Sequence, residues 1–224
     1  MHQQKSKKIL IYLFLFLIVA SINNTFLTKI RFDKIKSIQI SGLNQNQNIN
    51  LLESIKELNL KNIFFLNGSE ISKIISSNSQ VQNYKIFKKY PNTIDIKIEK
   101  TSFLAKINSN GKISLIGSNA KLSDIKFSDK ELPFIFGKPE IDEFIKFTST
   151  IENSNFSLSE IKNLYFFPSK RWDLELKNNI ILKLSKNHTK LSLDQAFTIL
   201  NDNNFNNIKV VDARIKNQII LNDR

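Results

Sequence analysis

The sequence contains no cysteine, which removes disulfides, thiolate nucleophiles, zinc fingers and iron–sulfur clusters together. Histidine is nearly absent: only His2 and His188 could supply imidazole, and His2 sits in the initiator tail. A His-rich metal site or a His-based triad is therefore poorly supplied, and no metal or cofactor is expected. Five glycines in 224 residues leave no glycine-rich phosphate loop, since Asn67-Gly68-Ser69 is a plain helix start. Arginine is scarce as well: of 33 basic residues only Arg31, Arg171, Arg214 and Arg224 are arginines. The others are lysines spread along the chain. The net charge of +13 thus describes a solvated lysine-rich surface, not a nucleic-acid reader, which favours Arg forks and clustered patches. What is plentiful is apolar. Hydrophobic residues make up 41% against 24% charged, ordinary for a folded chain of one or two domains.

Residues 1–8 hold Lys5, Lys7 and Lys8 and no acid. Residues 9–22 carry no charge, and most are Leu, Ile, Phe or Val. The uncharged stretch ends at Lys29. As a helix, residues 9–27 reach about 28 Å, close to the ~30 Å of a hydrocarbon core. The segment is apolar on all sides, which disfavours a buried helix of a globular core. The expectation is a short cytoplasmic tail over residues 1–8 and a single transmembrane helix over 9–28. A cleaved leader also fits, with Val19-Ala20-Ser21 as a small-residue site. Charge does not orient the segment, because Lys29, Arg31, Lys34 and Lys36 follow it against Asp33.

The body reads as two modules of an α+β fold. Residues 35–42 alternate into Gly42 as a strand. Asn50 and Glu53 form a capping-box pattern ahead of Leu51, Leu52, Ile55 and Leu58 at helical spacing. A second helix starts near Ser69 with Ile71, Ile74 and Ile75 on one face. Residues 81–88 form a strand, Tyr90-Pro91-Asn92 turns the chain, and Ile94, Ile96 and Ile98 alternate with Asp95, Lys97 and Glu99. This βααββ order covers residues 34–101. The second module, residues 102–224, is a mostly antiparallel β domain with flanking helices. Asn110-Gly111 marks its first hairpin. Pro139 fits the first position of a helix carrying Ile141, Phe144, Ile145 and Thr148. Trp172, Leu174 and Leu176 alternate before a turn at Asn178-Asn179. Ser192 and Gln195 make a second capping box, and residues 208–215 and 218–221 are the last two strand runs.

This arrangement resembles the bacterial cell-division protein family FtsQ, also called DivIB. The resemblance rests on Ile38-Gln39-Ile40-Ser41-Gly42 after the apolar segment and Lys89-Tyr90-Pro91-Asn92 leading into the third strand. It continues with Leu132-Pro133 and Gly137, Arg171-Trp172-Asp173-Leu174, and Val211-Asp212-Ala213-Arg214. Glu99-Lys100-Thr101-Ser102 departs from the family's usual Glu-Arg-x-Pro, and Asn178-Asn179 from its Asn-Gly turn. The resemblance implies a POTRA domain followed by an FtsQ-type β domain. It implies a bitopic inner-membrane protein with a periplasmic body at the division septum, and FtsB and FtsL as partners. It also implies that the last strands bind FtsB by strand addition. That edge comprises Val211, Asp212, Arg214, Ile215, Lys216, Gln218, Ile219, Ile220 and Leu221, with Ile215, Ile219 and Leu221 the apolar candidates. A terminal strand leaves one row of backbone groups unpaired, and an extended partner can complete it.

Enzymatic readings are weaker. Asp173 and Glu175 share one face of a strand, but Arg171 and Lys177 flank them and no cleft is indicated. No catalytic residue and no small-molecule substrate is expected. Two alternatives stay open: another POTRA-bearing transport or assembly component, and a secreted periplasmic binding module or hydrolase with a cleaved leader.

Overall fold

A computed structural model describes residues 2–22, 34–58, 60, 62–109, 111–124, 131–202 and 207–223. Helix α1, His2–Ile22, comes first, and its described side chains over residues 7–21 are all exposed. Among the described residues no helix is long and apolar enough to cross a membrane. The apolar part of α1 begins only after Lys8, and residues 23–28 of the expected span lie outside the described residues.

A three-stranded sheet follows, in the order β1 (Ser37–Ser41), β3 (Thr93–Lys100), β2 (Val81–Lys89). β1 is parallel to β3, and β2 is antiparallel to it. Helices α2 (Gln45–Lys56) and α3 (Gly68–Ser77) bring Leu51, Ile55, Ile71 and Ile75 onto Val81, Ile94, Ile96 and Ile98. Helical spacing on α2 and α3 and strict alternation on β3 thus converge on one core, as the sequence pattern requires. The start of α2 differs from the capping-box expectation. It lies more than a turn earlier, at Asn44, whose Oδ1 accepts from the Gln47 amide at 3.0 Å. The Asn- and Gln-rich run offers several capping side chains. Asn48 secures the earlier start, its Nδ2 donating to the Leu43 carbonyl at 3.0 Å.

The second sheet has nine strands in the order β12-β11-β10-β9-β8-β7-β4-β5-β6. They are β4 (Phe103–Ser109), β5 (Lys112–Gly117), β6 (Leu122–Ser123), β7 (Phe134–Phe136), β8 (Ile161–Phe166) and β9 (Trp172–Leu176). β10 (Ile181–Leu184), β11 (Val210–Ala213) and β12 (Ile220–Asn222) complete it. Most pairings are antiparallel, but β4/β7, β7/β8 and β10/β11 are parallel. Two of these parallel pairs follow from helices. α4 (Ile141–Glu152) crosses from β7 to β8 and α5 (Thr189–Leu200) from β10 to β11, and a parallel neighbour needs such a long crossover. Phe144, Phe147 and Ile151 of α4 and Leu193 and Ala196 of α5 share one core with Leu164, Leu174 and Leu182. Trp172 stacks on Phe147 with ring centres 4.5 Å apart, a core role.

Both helix starts in this unit differ from the sequence expectation. Pro139 precedes α4, with Glu140 at the cap position. α5 begins at Thr189, which places Ser192 inside the helix and buries it. Asn110 of the expected hairpin turn lies outside the described residues.

Only Thr101 and Ser102 separate β3 from β4, and a polar seam ties the two sheets there. Asn119 Nδ2 donates to the carbonyls of Ser79 and Val81, both at 2.9 Å. Thr101 and Ser118 each donate to Gln82 Oε1, at 3.0 and 2.8 Å. Ser79 donates to Ser123 at 3.1 Å, and Lys121 Nζ reaches the Ser76 carbonyl.

Candidate partner-binding edge

Among the described residues, β12 is both the last strand and one end of the large sheet. β12 pairs antiparallel with β11, in the register Val210–Asn222, Val211–Leu221 and Asp212–Ile220. β11 in turn pairs parallel with β10. Among the described residues no strand lies on the outer side of β12.

Seven of the nine residues expected to form the edge divide into three groups. Val211 is fully buried between β10 and β12, and Leu221 and Ile219 pack onto the same core. Ile215 and Ile220 are exposed, at 54% and 49%. Lys216 and Gln218 are exposed in the turn that joins the two strands, where Asn217 has φ +60° and the Gln218 amide donates to Ile215 O at 3.2 Å. Strand parity explains the split. The side of β12 that carries Leu221 faces the helices, so the side chain offered outward is Ile220.

Asp212 and Arg214 form a clamp beside Ile220. The Arg214 guanidinium donates to both carboxylate oxygens, Nε at 2.8 and 3.0 Å, and its amide donates to Oδ1 at 3.2 Å. Those bonds hold the Asp212 carboxyl below its ordinary range and raise the guanidinium in turn. Arg214 is therefore paired within the chain.

Sequence reading missed what fixes this edge from behind. Ser192 Oγ donates to the Ala213 carbonyl at 2.7 Å and accepts the Ser185 amide at 3.2 Å. It bolts α5 to the end of β11 and to the end of β10. It also missed the charged row on the opposite face, where strand register aligns Asp212, Lys183, Asp173 and Tyr165. Arg171 binds Asp173 at 3.0 Å. One step along, Glu175 accepts from Lys162, Asn163 and Tyr165, each at 2.8 Å. Led by the Asn163 bond, these lower its pKa to about 2. Asp173 and Glu175 are each held by neighbouring side chains, which is the work of a structural carboxylate. Among the described residues no group of three or more His, Asp or Glu side chains could hold a metal.

Residues 33–100 match the POTRA domain, FtsQ-type. A cell division protein DivIB from Clostridium acetobutylicum is 30% identical over 102 residues, 46% of this chain and 41% of that protein. A cell division protein FtsQ from Rickettsia typhi is 27% identical over 212 residues, 87% of this chain and 74% of that protein. The chain is similar to the FtsQ and DivIB cell division proteins, and its residues 33–100 match their type of POTRA domain. The match to the Clostridium protein thus spans under half of that relative's length, and the one to the Rickettsia protein runs through both sheets. Among solved structures, the major extracytoplasmic domain of DivIB from Geobacillus stearothermophilus aligns with a TM-score of 0.34 and 15% identity. It covers 47% of this chain and 97% of that one.

Proposed function

We propose that the chain is a non-enzymatic scaffold of bacterial cell division. α1 and the residues after it anchor it as a single span in the inner membrane, with the body in the periplasm at the septum. The outer edge of β12 takes up an extended segment of a partner of the FtsB kind, with FtsL in the same assembly.

The observation that carries this reading is the open end of the large sheet at β12, with Ile220 exposed beside it. A strand end held rigid by Ser192 and by Leu221 in the core is a prepared template for strand addition. Support for the anchor comes from residues 9–21 of α1, whose apolar side chains are exposed. Water is a poor solvent for such a helix, and lipid a good one. Similarity to cell division proteins FtsQ and DivIB supports the place in cell division.

The test is co-purification of the full chain from membranes with the FtsB and FtsL proteins of the same bacterium, beside an Ile220→Lys variant. Capture by the native chain and its loss in a folded variant supports the reading. Equal capture by both overturns the edge as the site.

A further inference from the structure

We propose that the end of the three-stranded unit at which residues 34–36 enter it is a second membrane contact, in which Phe64, Phe65 and Tyr90 rest in the lipid interface flanked by lysines. This rests on the anchor reading above.

Three separate segments meet at this end. Lys34 forms a bridge with Asn62, so the chain enters the fold beside the loop of residues 62–66. The amide of Lys36 donates to the Asn92 carbonyl at 2.9 Å, which brings the β2–β3 turn to the same place. Phe64 and Tyr90 close the triangle with ring centres 5.0 Å apart. Lys88 Nζ reaches the Leu66 carbonyl at 3.3 Å.

The loop cannot fold its rings inward. Ile63 is fully buried, Leu66 packs on the core, and Asn62 Oδ1 accepts the Phe65 amide at 3.1 Å. Phe64, Phe65 and Tyr90 are consequently held outward, 51%, 72% and 60% exposed. Three large aromatic side chains held outward at one point are an unusual surface for water and a usual one for a membrane interface.

Charge and tether select lipid over a protein groove. Lys34, Lys36, Lys88 and Lys89 lie on the same three segments that meet at the rings. Against them stand Asp95, already bound to Lys89 at 2.7 Å, and Glu57 at the end of α2. A net positive aromatic patch matches an anionic headgroup layer, with lysine stems lying along the apolar surface. Lys34 follows the expected end of the span at residue 28 by six positions, which reach at most about 20 Å. The patch is thus kept within reach of the bilayer that α1 occupies. Its contact would fix the tilt of the periplasmic body, and so the direction in which β12 is presented.

The absence of cysteine makes the test direct. The full chain carries a single nitroxide at Gly68→Cys, where a Cβ meets nothing within 4 Å. A second variant carries it at Leu15→Cys in α1. Both are reconstituted in vesicles of phosphatidylethanolamine and phosphatidylglycerol, and collision with oxygen and with a water-soluble nickel complex is compared. The expected result is a lipid-immersed label at position 15 and a label at position 68 shielded from nickel at interfacial depth. Phe64→Ser with Phe65→Ser would then move the position-68 label outward by about 5–10 Å, with unchanged thermal unfolding. A position-68 label in water, or one that ignores the double substitution, overturns the contact while an immersed position 15 leaves the anchor standing. A position-15 label in water overturns both. Shielding of position 68 that appears only when protein partners are added also contradicts the proposal, and assigns the patch to protein.

Discussion

Ile220 stands directly across from Asp212 on the last strand pair of the large sheet. Asp212 is occupied by Arg214, so the exposed feature of that position is the isoleucine. A partner strand laid along β12 would meet Ile220 on one face, while Leu221 stays committed to the core.

This separates two neighbouring substitutions. Ile220→Lys leaves stability within about 0.5 kcal/mol, as expected for an exposed side chain, and weakens partner binding tenfold or more. Ile219→Lys strips a side chain from the core and costs about 1–2 kcal/mol of stability. Urea unfolding and a binding titration on the same two variants check the contrast.

Arg214→Ala tests the clamp. The ion pair is partly exposed, so its loss lowers stability by no more than about 1 kcal/mol. Asp212 has its carboxyl held low in the folded state, so the pair's contribution is present above the ordinary carboxylate range and fades as pH falls below it. Native and Arg214→Ala unfolding curves should therefore converge toward acid. A gap that widens there would contradict this assignment.

Glu175 gives a larger effect of the same sign. Its pKa drops from 4.5 to about 2 on folding, so its contribution is complete above about pH 4.5 and is lost between there and pH 2. Glu175→Gln should cost roughly 1–2 kcal/mol at neutral pH and flatten the acid limb of stability against pH. Thermal melts at stepped pH measure it.

The seam between the sheets depends on Asn119. Asn119→Ala removes two hydrogen bonds to carbonyls of the other unit, at a cost of about 1–2 kcal/mol. Amide exchange should quicken at Thr101, whose amide donates to Gln80 O at 2.9 Å where the β2–β3 ladder meets the seam, and not at Leu174 in the core of the large sheet. Uniform quickening throughout would mean that the seam does not join two separable units.

Much of this fold is legible in the sequence because period decides it. Ile94, Ile96 and Ile98 could only be a half-buried strand, and Ile71 and Ile75 only a helix face. Helix starts are less legible where many residues can cap. Asn44 and Asn50 are chemically equal, and only the side-chain bonds of Asn48 and Asn44 favour the earlier one. Register across a helical crossover is not written locally at all. The row from Asp212 through Lys183 to Asp173 forms because α5 returns the chain parallel to β10. For the same reason sequence parity gathers Ile219 with Leu221, and the fold then turns that parity inward and leaves Ile220 outside.

The most direct measurement is deuterium uptake at residues 219–223 in the full chain, with and without the FtsB and FtsL proteins of the same bacterium. Strand addition at β12 predicts at least a tenfold slowing there on binding, which Ile220→Lys reduces. A complex that forms with unchanged exchange at these residues, and protection elsewhere, would contradict the account.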